Sequence, residues 1–172
     1  QGSLANLAGG VLIMALRPFK VGDFVEAAGY SGTIEQIQIF HTYLRTPDNR
    51  RVIIPNAQLS NSSAINYSTN PTRRLSLTFT TRYNDDIGQV KELLTRVVQS
   101  HPLVLADPKP QIVIGEHGEH GLVYFVRVWV DRTNYWQVNF DLLEKVKIEF
   151  DQAGIEIPFH QMDVHVKNDS TM

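Results

Sequence analysis

The chain opens on a run of apolar positions that contains no charged residue. The run extends from Leu4 to Leu16, and Arg17, Pro18 and Lys20 end it. A helix rises about 1.5 Å per residue, so this run spans roughly 20 Å, which is less than the ~30 Å hydrocarbon core of a bilayer. The run therefore predicts a core helix, an interfacial helix or half of a broken membrane helix, rather than a complete membrane span.

Small residues recur within this run, at Ala5, Ala8, Gly9, Gly10 and Ala15. Glycine and alanine let helix backbones approach closely, as the interfaces between membrane helices favour. Each internal glycine also weakens a helix by about 1 kcal/mol relative to alanine. The pattern favours a close-packed helix at a membrane, and the alternative is a water-soluble core helix that tolerates two glycines.

Short segments of strand character follow this run. The four clearest segments are Asp23–Ala28, Thr33–Phe40, His41–Thr46 and Arg51–Ile54. Between them, Gly29–Gly32 and Pro47–Asn49 have the composition of turns, because proline presets φ and Gly, Asn and Asp tolerate tight geometry. Strands this short with turns this frequent are typical of a small β barrel.

The second of these segments does not alternate cleanly between apolar and polar positions. Ile34 is out of phase with Ile37 and Ile39, which predicts a bulge of the kind found in small curled barrels. We therefore predict an SH3-like or Sm-like barrel that closes at Pro55–Asn56. The polar residues Asn61–Asn70 then predict a connector.

From Leu75 onward the apolar pattern describes a different kind of domain. Leu75, Leu77 and Phe79 alternate with polar residues, which predicts a half-buried strand. Apolar residues at helical spacing predict two helices, one with Ile87, Val90, Leu93, Leu94, Val97 and Val98 and one with Val138, Leu142, Val146 and Phe150. Further strands are predicted at Gln111–Gly115, Leu122–Asp131, Ile155–Ile157 and Met162–Val166. The order β-α-β-β-α-β is that of the ferredoxin-like split unit.

Capping residues mark the ends of these two helices. Asn84–Asp86 supplies N-cap candidates for the first, Thr133 or Asn134 can cap the second, and Gly154 ends it. The predicted fold class is α+β: an amphipathic half-helix at 1–17, a small Sm-like β domain at 18–68, a ferredoxin-like α/β domain at 69–166 and a short tail at 167–172.

Composition narrows the function. The 172 residues include 16 basic and 18 acidic side chains, so the net charge of −2 does not suit a general nucleic-acid binder. With no cysteine, a disulfide, a thiolate metal site and a thiol nucleophile are excluded. The chain begins at Gln1, and we expect it to be part of a longer protein. No basic residue precedes the apolar run, which argues against a signal peptide.

Residues that could carry chemistry are few. Glu116, His117, Glu119 and His120 form the densest group of potential ligands, but a zinc site needs three or four rigidly held ligands, and we expect a solvated hairpin tip here. No phosphate-binding loop or nucleophile elbow occurs. We therefore predict no enzymatic activity, no metal and no cofactor; the alternative is a hydrolase that uses this Glu/His group.

RNA binding is a further alternative, because Sm-like and ferredoxin-like domains both occur in RNA-binding proteins. A sheet that reads RNA presents exposed aromatic residues on a basic surface. Phe79 is in phase with Leu75 and Leu77, so we expect it to lie in the core. Together with the net charge, this position argues against nucleic acid as a partner.

Several motifs in one order resemble a known family, the bacterial mechanosensitive channels of small conductance. They are Gly2–Val11, Arg17-Pro18-Phe19 with Gly22-Asp23, Gly32-Thr33-Ile34, Arg45-Thr46, Ile53-Ile54-Pro55-Asn56, and Pro158 with Gln161–Val164. The resemblance covers essentially the whole chain. It implies a homoheptameric ion channel of the inner membrane that membrane tension opens on hypo-osmotic shock, releasing ions and small solutes.

The same resemblance implies a place for each part of this chain. The third membrane helix of the family is broken at a glycine, which Gly2 matches, and Leu4–Leu16 matches the half after the break. The β domain and the α/β domain build a hollow cytoplasmic cage. The membrane helices that contact the bilayer precede Gln1 in the family, so no gate residue is expected here. Gly9 departs from the family pattern, which has alanine.

Four residues are predicted to matter for function. Gly2, Gly9 and Gly10 are predicted hinge positions, Gly2 because the resemblance places the helix break there. Asn6 is the one polar side chain between Leu4 and Leu16, and a buried amide needs a hydrogen-bond partner. We therefore predict that Asn6 joins the half-helix to the β domain.

Overall fold

The computed structural model describes residues 2–159 of the chain, which form two compact units. The first unit ends at Pro71 and the second begins at Thr72. Each unit has a hydrophobic core of its own. Both contain helices and sheets, as the predicted α+β class requires.

The first unit begins with a helix and continues as an antiparallel sheet. Its helices are α1 (Gly2–Leu16) and the short α2 (Asn56–Asn61). Its strands are β1 (Phe24–Ala27), β2 (Tyr30–Ile37), β3 (His41–Arg45), β4 (Arg51–Pro55) and β5 (Ala64–Asn66). They pair in the order β4-β3-β2-β1-β5, so β4 and β5 are the outer strands of the sheet. The Sm-like name for this unit stays a prediction.

The first hairpin turns one residue earlier than predicted. Ala27 pairs with Tyr30, and Ala28 and Gly29 form a two-residue turn in which φ is 52° and 83°. Such turns match the twist of the flanking strands, but both central residues need a positive φ. The predicted turn at Gly29–Gly32 is therefore wrong. Gly32 lies in β2 instead, where a Cβ would come within 2.6 Å of the Arg45 carbonyl oxygen.

The irregular apolar pattern of β2 does mark a bulge. The register between β2 and β3 shifts between Ile34 and Gln36, which confirms the prediction. The turn at Pro47–Asn49 is also confirmed, with Asn49 at a φ of 64°. The Thr46 hydroxyl donates to Asp48 Oδ1 at 2.5 Å and holds this turn.

Two short elements lie where a closing corner and a polar connector were predicted. Helix α2 begins directly after Pro55, and β5 pairs with β1, with Asn66 opposite Val25. The prediction of an irregular connector from Asn61 to Asn70 is therefore wrong over β5. A six-residue helix and a three-residue strand are too short to produce a readable periodicity.

The second unit has the predicted order of its first five elements. They are β6 (Thr72–Thr81), α3 (Ile87–Gln99), β7 (Gln111–His117), β8 (Leu122–Asp131) and α4 (Tyr135–Ala153). The strands form one sheet in the order β6-β8-β7, and both pairings are antiparallel. The ferredoxin-like name for this unit stays a prediction, because the last predicted strand, Met162–Val166, and the tail at 167–172 lie outside the described residues.

The predicted strand at Ile155–Ile157 is wrong. Gly154 ends α4 in the left-handed region with a φ of 70°, as predicted. The backbone N–H of Ile155 then donates to the carbonyl oxygen of Phe150 at 2.9 Å. This bond belongs to the C-terminal cap of the helix, so the backbone here is committed to the cap rather than to a sheet.

The predicted core positions of this unit are buried. The helix stripes contribute Val90, Leu93, Leu94, Val97, Val98, Val138, Leu142, Val146 and Phe150, and the strands contribute Leu75, Leu77, Phe79, Leu122, Tyr124, Val126, Val128 and Val130. Ile87, the first residue of the α3 stripe, is 42% exposed and lies outside this core. Burial raises the pKa of the Tyr124 hydroxyl, so this side chain stays neutral at physiological pH.

The two helices begin differently. Asp86 caps α3 as predicted, because its Oδ1 accepts the N–H of Gln89 at 2.7 Å. Helix α4 follows a 3₁₀ turn that Asp131 caps, and the hydroxyl of Thr133 lowers the pKa of this carboxyl. Asn134 occupies the N-cap position of α4 without a side-chain bond, so neither Thr133 nor Asn134 acts as the predicted cap.

The α4 stripe gives a direct test of this core. Leu142 is fully buried, whereas Ile148 on the same helix is 47% exposed. We expect Leu142→Ala to lower the free energy of unfolding by about 2–5 kcal/mol, because it leaves a cavity. Ile148→Ala, the matched control, should change it by roughly 0.5 kcal/mol or less. Equal shifts of the two variants in urea unfolding would contradict this assignment.

Candidate functional site

Within the first unit, α1 lies against the corner that joins β4 to α2. We call this contact the α1 junction and define it by Asn6, Gly9 and Gly10 of α1 together with Asn56 and Ala57 of α2. Gly9 and Gly10 are buried, whereas most of the remaining α1 residues are exposed. The junction therefore brings together three of the four residues that the sequence singles out.

The two glycines let the α1 backbone come very close to the corner. A Cβ on Gly9 would lie 2.6 Å from the carbonyl oxygen of Asn56. A Cβ on Gly10 would lie 2.3 Å from the carbonyl oxygen of Ile39 and 2.6 Å from Asn56 Nδ2. Distances below 3.0 Å to backbone atoms are not tolerated, so any side chain at either position would push α1 away.

Asn6 completes the N-terminus of α2. Its Oδ1 accepts the backbone N–H of Ala57 at 2.9 Å. The residue in the N-cap position of α2 is Pro55, which makes no side-chain cap bond. Because the first N–H groups of a helix have no partner within it, Asn6 supplies from another helix what a local cap normally supplies.

Asn56 holds the corner from inside. This side chain is fully buried, and its Oδ1 accepts the Thr42 hydroxyl at 2.8 Å while its Nδ2 donates to the Gln38 carbonyl oxygen at 2.8 Å. Its backbone N–H donates to the carbonyl oxygen of Phe40 at 2.9 Å. The amide therefore ties α2 to β3 and to the residues just before β3.

The sequence did not identify Asn56 or Thr42 as functional. Thr42 is a single polar residue in a predicted strand, and Asn56 follows a proline. The local sequence therefore indicates an ordinary strand residue and an ordinary turn residue. The full burial of both side chains becomes visible only when the strands and α2 are in place.

The elbow after α1, residues 17–23, is held by defined contacts. Asp23 is only 6% exposed, and its Oδ2 accepts the backbone N–H of Lys20 at 3.0 Å and Asn66 Nδ2 at 2.9 Å. Gly22 has a φ of 94°, which favours glycine, and Phe19 is buried in the core of the first unit. The end of α1 is therefore anchored to the sheet.

The hinge residues have different surroundings. Helix α1 runs from Gly2 to Leu16 without a break at Gly9 or Gly10. Gly2 has no atom within 4 Å of the position where a Cβ would stand. Gly9 and Gly10 are thus contact positions in this conformation, and hinge roles for these residues and for Gly2 stay predictions.

The polar groups of the junction are amides, a hydroxyl and backbone groups. They hold a helix in place through neutral hydrogen bonds and offer no group that ionises near neutral pH. Within residues 2–159, no helix is long and apolar enough to cross a bilayer.

The other candidate residues do not converge on a site. Glu116 and His117 lie on β7, and Glu119 and His120 lie in the hairpin that follows. Among the residues that the structure describes, no three His, Asp or Glu side chains stand in a position to hold a metal ion. Phe79, which an RNA-binding sheet would have to expose, is buried in the core, as predicted.

Comparison with known families gives two matches along the chain. Residues 2–69 match the family model described as "Mechanosensitive ion channel, beta-domain". Residues 75–157 match the model described as "Mechanosensitive ion channel MscS, C-terminal". The two matches fall within the first and second units respectively.

Individual relatives agree with these matches. The small-conductance mechanosensitive channel of Edwardsiella ictaluri is 40% identical over 166 residues, which is 96% of this chain and 58% of that protein. The channel of the same name from Helicobacter pylori is 32% identical, over 96% of this chain and 61% of that protein. The chain therefore spans about three fifths of the length of these relatives.

Solved structures show the same fold. The crystal structure of Helicobacter pylori MscS in its closed state superposes with a TM-score of 0.92 at 32% identity, over 96% of this chain and 66% of that one. The Arabidopsis thaliana protein MSL1 superposes with a TM-score of 0.80 at 18% identity, over 92% of this chain and 57% of that one.

Glycine-to-alanine variants test whether the junction depends on the missing side chains. Gly9→Ala and Gly10→Ala should lower the free energy of unfolding by about 1–3 kcal/mol, because α1 must move away from the corner. Gly2→Ala, in the same helix but with open space around it, should raise it by up to about 1 kcal/mol. Thermal unfolding of the three variants measures this, and stabilisation by Gly10→Ala would contradict the close contact.

Proposed function

We propose that this chain, which belongs to the mechanosensitive ion channel family, is the cytoplasmic cage and gate-coupling part of a tension-gated channel of the inner membrane. The parent channel would release ions and small solutes on hypo-osmotic shock. The observation that carries the coupling role is the α1 junction, where α1 lies on the corner between β4 and α2 without intervening side chains. The bilayer contacts would belong to membrane helices of the parent protein.

The junction can pass a displacement of α1 to the sheet of the first unit. Backbone atoms of α1 and of the corner stand in direct contact at Gly9 and Gly10, so there is no flexible side chain to absorb movement. The Asn6–Ala57 bond resists sliding along the corner. Asn56 then connects the corner to β3 through its buried amide. A force on the segment that precedes α1 would therefore be transmitted through the corner to the sheet.

The free energy of the Asn6–Ala57 hydrogen bond is of the size needed to shift an equilibrium between two channel states. Leaving the N–H of Ala57 without a partner costs about 1–3 kcal/mol. Because about 1.4 kcal/mol is a factor of ten in an equilibrium constant, loss of this one bond changes a two-state population by roughly five- to hundredfold. The junction can thus bias a channel between states without being so strong that tension cannot release it.

A hinge at Gly9 and Gly10 would give α1 a second, bent conformation after it leaves the corner. The pair weakens the helix by about 2 kcal/mol relative to two alanines, which is roughly a thirtyfold change in population. Beyond the pair, Leu12, Ile13 and Leu16 line an open pocket of about 330 Å³, whose other side is formed by the elbow and by residues 59–64. We propose that α1 bends at the pair once the junction releases, with Gly2 as a separate hinge at the helix start.

The exposed side of α1 supports self-assembly. Leu4 is 71% exposed and Leu16 is 75% exposed, and Val11 and Leu12 are each 52% exposed. An apolar patch of this extent normally marks an interface. A closed ring uses heterologous contacts of this kind, and the family resemblance sets the expected number of copies at seven.

The mass of the particle tests the ring. We expect light scattering or native mass spectrometry in mild detergent, at micromolar concentration, to give seven times the 19.5 kDa mass of the chain. Leu4→Gln together with Leu16→Gln should reduce the assembled fraction, because it removes exposed apolar area. Ile53→Gln, at an exposed position of β4, is the control. A monodisperse monomer would contradict the proposal.

Current decay tests the hinge in the parent channel. We expect Gly9→Ala with Gly10→Ala to slow the decay of current under sustained pressure in patch-clamp recordings, because the helix is stiffer. The double variant also displaces α1 from the corner, so its opening threshold should shift as it does in Asn6→Ala, whereas the slower decay should occur in the glycine variant alone. Asn6→Ala weakens the junction without stiffening the backbone, and Gly2→Ala changes a glycine outside it; these two variants separate the effects. Unchanged decay in the double variant would contradict the hinge.

A further inference from the structure

His101 lies two residues after the end of α3, and both of its ring nitrogens are engaged. The side chain is buried, with an exposed fraction of 8%. Its Nδ1 accepts the backbone N–H of Leu103 at 3.2 Å, and its Nε2 lies 3.1 Å from Asp141 Oδ2 on α4. Because a backbone N–H can only donate, Nδ1 is the acceptor. The neutral ring therefore carries its proton on Nε2 and donates it to Asp141.

The ring supports a short segment that is attached to the sheet of the second unit. The N–H of Val104 donates to the carbonyl oxygen of His101 at 3.2 Å, which closes a turn. The N–H of Leu105 then donates to the carbonyl oxygen of Trp129 at 2.9 Å, and Val104 forms an isolated bridge to β8. We call residues 103–105 the bridge segment. A segment that an isolated bridge joins to a sheet opens more readily than a strand within the sheet.

Protonation would change only one side of this ring. Histidine is the side chain whose charge most readily changes between pH 5 and pH 8. Asp141 accepts the Nε2 proton in both states, and its carboxylate attracts the positive ring. At Nδ1, however, the added proton would point at the N–H of Leu103, so that two donors would face each other. Because Asp141 keeps the ring in place, the Leu103 amide is the group that has to move.

The elements around His101 carry further charged groups, and several of these have partners of their own. Lys145, one turn beyond Asp141 on α4, donates to Ser100 Oγ at 2.9 Å. Arg96, in the last turn of α3, pairs with Glu149 at 3.3 Å. The other charged residues nearby in the sequence are Glu144 of α4 and Asp107 and Lys109 of the loop after the bridge segment. Strand β8 contributes apolar side chains to this core. Asp141 is thus the charged group in contact with the ring.

We propose that His101 is a pH-sensitive switch, which holds the bridge segment on β8 while the ring is neutral and releases it when Nδ1 takes up a proton. All of the groups involved lie in the second unit, so the proposal needs neither the ring assembly nor the channel role. Combined with the cytoplasmic location proposed above, the switch would respond to the pH of the cytoplasm.

Asparagine at this position provides a matched control. In an Asx turn the side-chain oxygen accepts the N–H two residues on, which is the contact that Nδ1 makes with Leu103. The variant His101→Asn therefore keeps an acceptor for this N–H but cannot take up a proton. Hydrogen exchange measured by mass spectrometry compares the two chains at the same pH, so the intrinsic pH dependence of exchange cancels in their ratio.

We expect the peptide that contains the bridge segment to exchange equally fast in the two chains at pH 8. At pH 5 it should exchange at least about tenfold faster in the unsubstituted chain, because a backbone hydrogen bond is lost. His117→Asn, at the exposed end of β7, should behave as the unsubstituted chain does at both pH values. A ratio near one at pH 5 would overturn the switch. So would faster exchange of α4 in place of the bridge segment, which would mean that the contact with Asp141 is the one that breaks.

Tryptophan fluorescence gives a second readout that leaves the histidine in place. The chain has two tryptophans, so Trp136→Phe makes Trp129, whose carbonyl oxygen binds the bridge segment, the single emitter. Its emission should follow a one-proton curve between pH 8 and pH 5. Asp141→Asn should move this curve to lower pH, because the positive ring loses its carboxylate. Asp151→Asn, which changes another exposed carboxylate of α4, should leave the curve in place. Constant emission, or an equal shift by both variants, would contradict the proposal.

Discussion

The first unit depends on the absence of two side chains. Gly9 and Gly10 let the backbone of α1 approach the carbonyl oxygens of Asn56 and Ile39 to distances at which a methyl group would collide with them. That approach brings Asn6 within hydrogen-bonding distance of the α2 N-terminus. The helix is therefore docked by shape and by one polar bond. A residue type that weakens an isolated helix here makes its tertiary contact possible.

Asn56 extends this contact into the sheet. A buried amide is stable only when its hydrogen-bonding groups are satisfied, and here a threonine hydroxyl and a backbone carbonyl oxygen meet that requirement. Because a satisfied polar network specifies one arrangement, the corner is rigid where α1 rests on it. A rigid corner and an intrinsically weak α1 helix suit the proposed role, in which one conformation is stable at rest and is released by membrane tension.

The second unit uses only one side of α4 for its core. Its core is formed by one stripe of each helix and one side of β6 and β8. Trp136 and Phe140 are exposed on another side of α4, outside this core. The same helix thus stabilises the fold with one side and presents aromatic surface with another.

Periodicity in the sequence was sufficient for the second unit, because stripes such as Val138 to Phe150 and alternation such as Leu75 to Phe79 are set by helix and strand geometry alone. The family motifs indicated what kind of protein contains these units. The sequence also marked Asn6, Gly9 and Gly10. It could not show that Ala57 is the partner of Asn6, that Asn56 and Thr42 are buried, or that the glycines are contact points. Those facts depend on residues about fifty positions apart meeting in space, and no local pattern of side chains encodes that meeting.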